Sequence, residues 1–296
     1  MELRHLRYFV AVAEALSFTR AAQTLRTAQP SLSQQIRDLE YEIGTPLLYR
    51  DKRNVALTPA GKVFLDEARL VLAQAERAKL LARRAGEDIG NTLTIGFVPA
   101  AEVKIFPQTL TMLRAEFPAT RIVMQSLTTF EQHEALSSGA IDFGFLRPPV
   151  DDPSIDSMVI LRESLVLLMP ADHPSCWSSE VSLSAMADTP FLRIASRHAG
   201  NLGQVIDDLA RREGVTLNAV QEVENVLTLL TLVSLGVGFS IMPDYVAQLS
   251  FRNIVTRPLS GPTVRAELMA AWRRDNAKPE VKALVRRLRE MQSHEL

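Results

Sequence analysis

Thr58 is followed by a helical pattern that runs to Gly86 with neither glycine nor proline between Lys62 and Ala85. Thr58 offers a side-chain cap, and Pro59 suits a first helical residue. At 1.5 Å per residue such a helix spans roughly 40 Å. Within a chain of 296 residues, longer than one compact domain needs, it divides the sequence into a head (1–58), a linker helix (59–89) and a body (90–296). Along it Phe64, Ala68, Val71, Ala75, Ala78, Ala82 and Ala85 alternate spacings of four and three, as the seam of paired helices does. Packing on its own body is one use of such a seam. The expectation favours a homodimer, because a long helix with such a seam wants a partner.

The head begins with Leu6, Phe9, Val10, Ala13 and Leu16 at helical spacing, then Ser17 as cap of a second short helix containing Ala21, Ala22 and Leu25. Pro30 opens a third helix whose core stripe is Leu32, Ile36, Leu39 and Ile43, and Gly44 and Pro46 stop it. At 100° per residue the stripe falls within about 40° of Leu32, whereas Pro30, Ser33, Gln34 and Arg37 fall between about 100° and 200°. Hydroxyl, amide and guanidinium groups on that free face are the types that bond base edges and phosphates once a helix enters a major groove. Two short helices and a third with such a ridge form the helix-turn-helix pattern.

Two short strands, Leu47 to Arg50 and Val55 to Leu57, then flank a turn, so that Arg50, Lys52 and Arg53 make a basic wing able to neutralise phosphates or enter a minor groove. Residues 1–90 carry 14 Lys and Arg against 11 Asp and Glu, while the remainder carries 19 against 23. That imbalance is too small to establish nucleic-acid binding by itself, so the argument rests on position.

In the body, a strand at Leu93 to Val98, a helix with Phe106, Leu110 and Leu113, a strand at Ile122 to Ser126, a helix ending near Gly139 and a strand at Ile141 to Leu146 predict a parallel α/β sheet. The theme recurs through Leu165–Met169, a helix over 201–213, a strand at 219–223, a helix at 226–235 and a strand at 238–243, implying a second lobe. A closing helix runs from Pro279 to about Gln292. The lobes are expected over 90–162 with 266–296, and over 163–265. In open α/β sheets ligands sit beyond the carboxyl ends of strands, where helix N-termini favour anions. The corresponding positions are Val98, Pro99 and Ala100, Thr128 and Thr129, Arg147, and Ser196 to Asn201. Helix capping by the threonines and an ion pair at Arg147 are compatible alternatives.

Met1 to Pro59 resembles the N-terminal region of LysR-type transcription regulators, through Phe18-Thr19-Arg20-Ala21-Ala22, Ala28-Gln29-Pro30-Ser31-Leu32-Ser33 and Leu57-Thr58-Pro59-Ala60-Gly61. The resemblance extends through Ile95-Gly96-Phe97-Val98, Ile141-Asp142-Phe143-Gly144 and Leu235-Gly236-Val237-Gly238. It implies an α-rich winged helix-turn-helix, a linker-helix dimer and a two-lobed, periplasmic-binding-protein-like α/β effector domain. It also implies assembly into a homotetramer, control of transcription from double-stranded promoter DNA and RNA polymerase as a further partner. By position, Thr19, Gln29, Pro30, Ser31, Ser33, Gln34 and Arg37 would serve DNA recognition and Arg50 and Arg53 the wing. Within the family the sequence is most similar to regulators of aromatic-acid breakdown, the phenylpropionate/cinnamate activator and the benzoate and muconate regulators. The latter two carry an effector-binding hydroxyl where this chain has Ala100, which counts against muconate. Thr129 and Ser196 remain as polar anchors and Val98 and Leu202 as apolar walls for an aromatic carboxylate such as phenylpropionate or cinnamate.

Other function classes lack support. There is no G-x-S-x-G elbow, no Walker loop and no complete G-x-G-x-x-G; Gly236-Val237-Gly238 lacks the third glycine. None of the five histidines forms an H-x-x-x-H pair, the single Cys176 excludes a cysteine zinc site, and no cofactor is expected. Oxidation of that one thiol is a weaker reading than an ordinary small side chain. With no signal segment and no apolar run approaching roughly 18 residues, the expectation is a cytoplasmic protein without membrane contact rather than an exported solute-binding protein.

Overall fold

The structure, a computed structural model, describes residues 1–50, 55–86, 92–261 and 263–294. It divides into two units, Met1–Glu87 and Asp88–Leu296. In the first, α1 (Leu3–Ala15), α2 (Phe18–Thr24) and α3 (Gln29–Ile43) precede a hairpin of β1 (Leu48–Arg50) and β2 (Val55–Leu57), and α4 (Pro59–Gly86) closes the unit. Leu6, Phe9, Val12, Ala21, Ala22, Leu32, Ile36, Leu39 and Leu47 form its core. The expected caps are in place: Ser17 Oγ accepts the Arg20 N–H, and Gly44 ends α3 at φ 80°. Thr58 Oγ accepts the Gly61 N–H at 2.9 Å and donates to the Pro46 carbonyl at 2.8 Å. Gly61 must be glycine, since a Cβ there would overlap the Leu47 carbonyl.

The seam of α4 divides. Phe64 packs edge-on against Phe9 with ring centroids 5.1 Å apart, and Ala68 is buried in the head, so the first turns pack on their own unit. Val63, Leu70, Val71, Ala78 and Ala82 are exposed in the single chain. The side chain of Ala85 lies outside the described residues.

The second unit contains β3 (Thr92–Phe97), α5 (Pro99–Lys104), α6 (Phe106–Glu116), β4 (Arg121–Ser126), α7 (Thr129–Ser138) and β5 (Phe143–Leu146). The chain continues through β6 (Ile155–Pro170), β7 (Phe191–Ile194), α8 (Ser196–Ala199), α9 (Leu202–Arg212), β8 (Ala219–Val223) and α10 (Val226–Ser234). It ends with β9 (Ser240–Pro243), β10 (Ile254–Pro258), β11 (Arg265–Arg273) and α11 (Pro279–His294).

β4, β3 and β5 are parallel as expected, but β11 and β6 extend that sheet antiparallel, so the lobe is mixed rather than parallel. β6 is the structural spine. Ile155 to Ser164 pairs with β11 in one lobe, and Leu165 to Pro170 pairs with β9 and β10 in the other. A bridge from Phe191 to Phe239 joins β7 and its parallel neighbour β8 to this second sheet. Sequence periodicity registers only the Leu165–Met169 end of β6 and misses β7, β10 and β11. β7 and β10 are only four and five residues long, and the buried positions that alternate along β11 from Arg265 to Ala270 are mostly alanines, which give little polar/apolar contrast.

Candidate nucleic-acid interface and effector cleft

On α3 the burial follows the sequence reading. Leu32, Ile36 and Leu39 are fully buried, while Gln29, Pro30, Ser31, Gln34 and Arg37 are exposed and Ser33 is partly so. Thr19, in the first turn of α2, is exposed as well. Gln34 Nε2 donates to Asp38 Oδ1 at 2.8 Å, and Arg37 Nη2 reaches Ser33 Oγ at 3.5 Å, so among the described residues these side chains are held by bonds to their own helix. Tyr41, one turn beyond Arg37 on the same face, is 91% exposed; helical angle alone could have found it. Arg50 is differently placed, with its guanidinium paired to Glu40 and lying over the Phe18 ring. Arg53 lies outside the described residues.

In the second unit the strand ends of the two lobes face each other. Gln132 of α7 is buried, and its Nε2 donates to the carbonyls of Leu127 and Phe145, both at 3.0 Å. It thereby ties the ends of β4 and β5 to one helix. Gly96 and Gly144 make room for it: a Cβ on either would stand about 3 Å from Gln132 side-chain atoms. Val98 precedes α5 with its N–H donated to the Phe145 carbonyl at 3.0 Å; Ala100 is buried and Pro99 partly exposed.

Thr128 caps α7: its Oγ accepts from Glu131 N, and Glu131 Oε2 accepts from Thr128 N. The Thr128 backbone N–H, and its hydroxyl in support, hold the Glu131 carboxyl below its ordinary pKa. Thr129 is buried and its Oγ accepts the Arg147 N–H at 3.1 Å. Arg147, also buried, donates from Nη2 to Glu163 Oε2 at 2.6 Å and from Nη1 to the Glu267 carbonyl at 2.9 Å. Burial raises the Glu163 pKa, and the Arg147 guanidinium opposes that rise. Arg147 thus forms an internal ion pair, the alternative that the sequence leaves open.

The second lobe meets this cluster at Gly200 and Asn201. Gly200 adopts φ 58° and ψ −134°, and a Cβ there would lie 2.7 Å from Arg147 Cβ and 3.2 Å from Thr129 Oγ. Asn201 N donates to the Pro148 carbonyl at 3.1 Å, while its buried Oδ1 has no hydrogen-bond partner among the described residues. Leu202 is buried, Ser196 is exposed, and Lys104 pairs with Asp244 across the lobes at 2.8 Å. The structure therefore brings Thr129, Arg147 and Asn201 together around Gly200. Gln132 and Glu163 escape sequence reasoning because their roles arise from packing between distant elements, and Gly200 is read there only as one member of a candidate loop. A separate cavity of about 560 Å³, lined by residues including Trp272, Val281, Val285 and Arg286, contains none of these residues. Among the described residues no group of three or more His, Cys, Asp or Glu is arranged to hold a metal, and no helix is long and apolar enough to cross a membrane.

Comparison with known proteins agrees with both halves. Residues 3–62 match the bacterial regulatory helix-turn-helix protein, lysR family, and residues 86–293 match the LysR substrate binding domain. The Hca operon transcriptional activator HcaR of Escherichia coli (strain K12) is 43% identical, covering 96% of each chain. Full-length BenM superposes with a TM-score of 0.61 at 32% identity, over 100% of this chain and 98% of that one. Full-length CbnR in complex with its target DNA gives a TM-score of 0.60 at 26% identity, over 98% and 99%. An exposed ridge on a buried-edged third helix, a hairpin beside it, and a two-lobed α/β unit thus occur in the order these relatives have them. The chain belongs to the LysR family of DNA-binding transcription regulators.

Proposed function

We propose that the head reads promoter DNA with Gln29, Pro30, Ser31, Ser33, Gln34 and Arg37 in the major groove, while Thr19 meets the flanking backbone and Arg53 serves the wing. The cleft, in this reading, takes an aromatic carboxylate such as phenylpropionate or cinnamate, and the protein controls genes for aromatic-compound catabolism in the cytoplasm without turning the ligand over. The observation that carries the DNA assignment is the division of α3 into a fully buried aliphatic edge and a free Ser/Gln/Arg face. A helix held by one edge is free to enter a groove with the other.

For the effector, Thr129 and Ser196 supply hydroxyls that can donate to a carboxylate, and Val98 and Leu202 supply apolar surface. Ala100 offers no hydroxyl, which favours an aryl acid with one carboxylate over a diacid. HcaR is named as an activator of the hca operon, and the same direction of control is proposed here. The working unit is a dimer through α4, and pairs of dimers form the tetramer.

Two measurements test the reading. Duplexes selected by the protein from a random pool should lose discrimination at particular bases in Gln34→Ala and Arg37→Ala, by about 1–3 kcal/mol for a paired hydrogen bond to a base. Affinity in the unaltered protein that ignores salt would contradict phosphate-driven binding. A panel of aromatic acids should raise the melting temperature of the full chain, and no rise across the panel would discard the effector class.

A further inference from the structure

Glu40 sits on α3 with its side chain 15% exposed, and its side-chain bonds run toward the wing. Oε1 accepts the backbone N–H groups of Leu47 at 2.9 Å and Leu48 at 3.0 Å. Oε2 accepts from Arg50 Nη2 at 2.5 Å. The Arg50 guanidinium also lies over the Phe18 ring, 5.1 Å from its centroid, which links β1 to the start of α2. Leu47 and Leu48 are buried, so their N–H groups need an acceptor, and the Glu40 carboxylate is the one they have.

We infer that Glu40 and Arg50 are a positioning pair: together they fix the wing hairpin relative to the recognition helix, and Arg50 contributes to DNA binding through that placement rather than by touching a phosphate. An arginine that neutralises phosphate needs a free charge and free donors. This one is neutralised at 2.5 Å, and turning it outward would strip Glu40 of its cation and Phe18 of its cover. Family resemblance would give Arg50 a role on the DNA, whereas the geometry gives it a joint. Lys52 and Arg53 follow Arg50 in sequence, so what the joint holds is the strand β1 that leads to them.

The inference rests on DNA binding by the head, and one experiment separates the two. Affinity for a duplex enriched from a random pool is measured against salt for the full-length wild type, Arg50→Gln and Glu40→Gln, with circular dichroism melts as a fold check. If Arg50 neutralises a phosphate, replacing it lowers the logarithmic salt slope by about 0.9. If the pair is a joint, Arg50→Gln and Glu40→Gln displace the same hairpin, so both change the slope alike and weaken binding alike; if Arg50 itself meets a phosphate, only Arg50→Gln lowers the slope.

Glu40→Gln gives opposite signs. Removing an acid near DNA strengthens binding if Arg50 is thereby released to a phosphate, and weakens it if the pair is a joint. The expected result is weaker binding in both variants, the same slope in both, and a double variant no worse than either single one. A slope reduced in Arg50→Gln but not in Glu40→Gln, or tighter binding by Glu40→Gln, overturns the inference while leaving DNA binding intact. A wild type that enriches no duplex removes both. If Arg50→Gln does not fold, the sign of the Glu40→Gln effect decides alone.

Discussion

Glu163→Gln should be among the most damaging single substitutions in the second unit. Glu163 is 1% exposed and Arg147 4%, so the change leaves a cation at that depth with the Glu267 carbonyl but no counter-charge. Removing one member of a buried pair costs about 3–5 kcal/mol, because the remaining charge can neither hydrate nor neutralise itself. Arginine keeps its proton; a carboxyl does not have to stay ionised. The reverse substitution, Arg147→Met, therefore behaves differently. Without the guanidinium, the main opposition to burial is gone and the Glu163 pKa rises further, so the folded variant holds a proton that the unfolded chain has released. Its destabilisation shrinks as the pH falls toward the ordinary carboxylate range and grows as the pH rises.

Replacing both, as Arg147→Met with Glu163→Leu, should recover most of the loss. Both tryptophans, Trp177 and Trp272, belong to the second unit, so fluorescence-monitored urea unfolding of the full chain reads this unit alone. The reasoning fails if Glu163→Gln costs under about 1 kcal/mol, or if the double variant costs the sum of the singles.

Gly200→Ala should abolish the ligand-induced rise in melting temperature while leaving DNA binding in place, since a Cβ there would strike Arg147 and the backbone is one that only glycine adopts easily. A rise equal to that of the unaltered protein would refute the closeness of the lobes at this point. Val71→Glu and Ala78→Glu place charge on the exposed face of α4 and should convert a dimer to monomer in sedimentation; unchanged mass would locate dimerisation elsewhere. The Glu131 carboxyl, held low by its bonds to Thr128, supports the α7 cap above the ordinary carboxylate pKa, and that support is lost as pH falls through its folded value. Glu131→Gln should accordingly flatten the acid limb of the stability profile, and an unchanged limb would deny the cap a role.

The head is nearly all readable from its residues, for a physical reason: its elements are short amphipathic helices whose caps lie next to them in sequence. Ser17, Pro30, Gly44 and Thr58 mark boundaries that the structure repeats. Two details differ. Val12 rather than Val10 is fully buried on α1, and Leu16, expected in the stripe, is a half-exposed cap in left-handed conformation at φ 46°.

The body is less readable because its strands are paired by distant partners. β11 reads as ordinary mixed sequence until β5 and β6 flank it. The cleft is legible as a set of strand ends, and Thr129, Arg147 and Asn201 do meet. What each does is not, since the capping box consumes Thr128 and the Glu163 carboxylate engages Arg147.

The sixteen-residue β6 carries backbone from one sheet into the other without a loop. Its partners change between Ser164 and Leu165, beside Glu163 and hence beside Arg147. A hydrogen-bonded ladder resists sliding along its length far more than twisting about it. Relative motion of the lobes is therefore channelled into torsion of two adjacent crossings, β6 and the return from β10 to β11 that Leu165 N bonds at the Val264 carbonyl, with the buried ion pair beside them. A ligand seated a few residues away, at Thr129 and Asn201, would act on that torsion through a short lever, so small changes in fit at the cleft become angular changes at the far ends of both lobes.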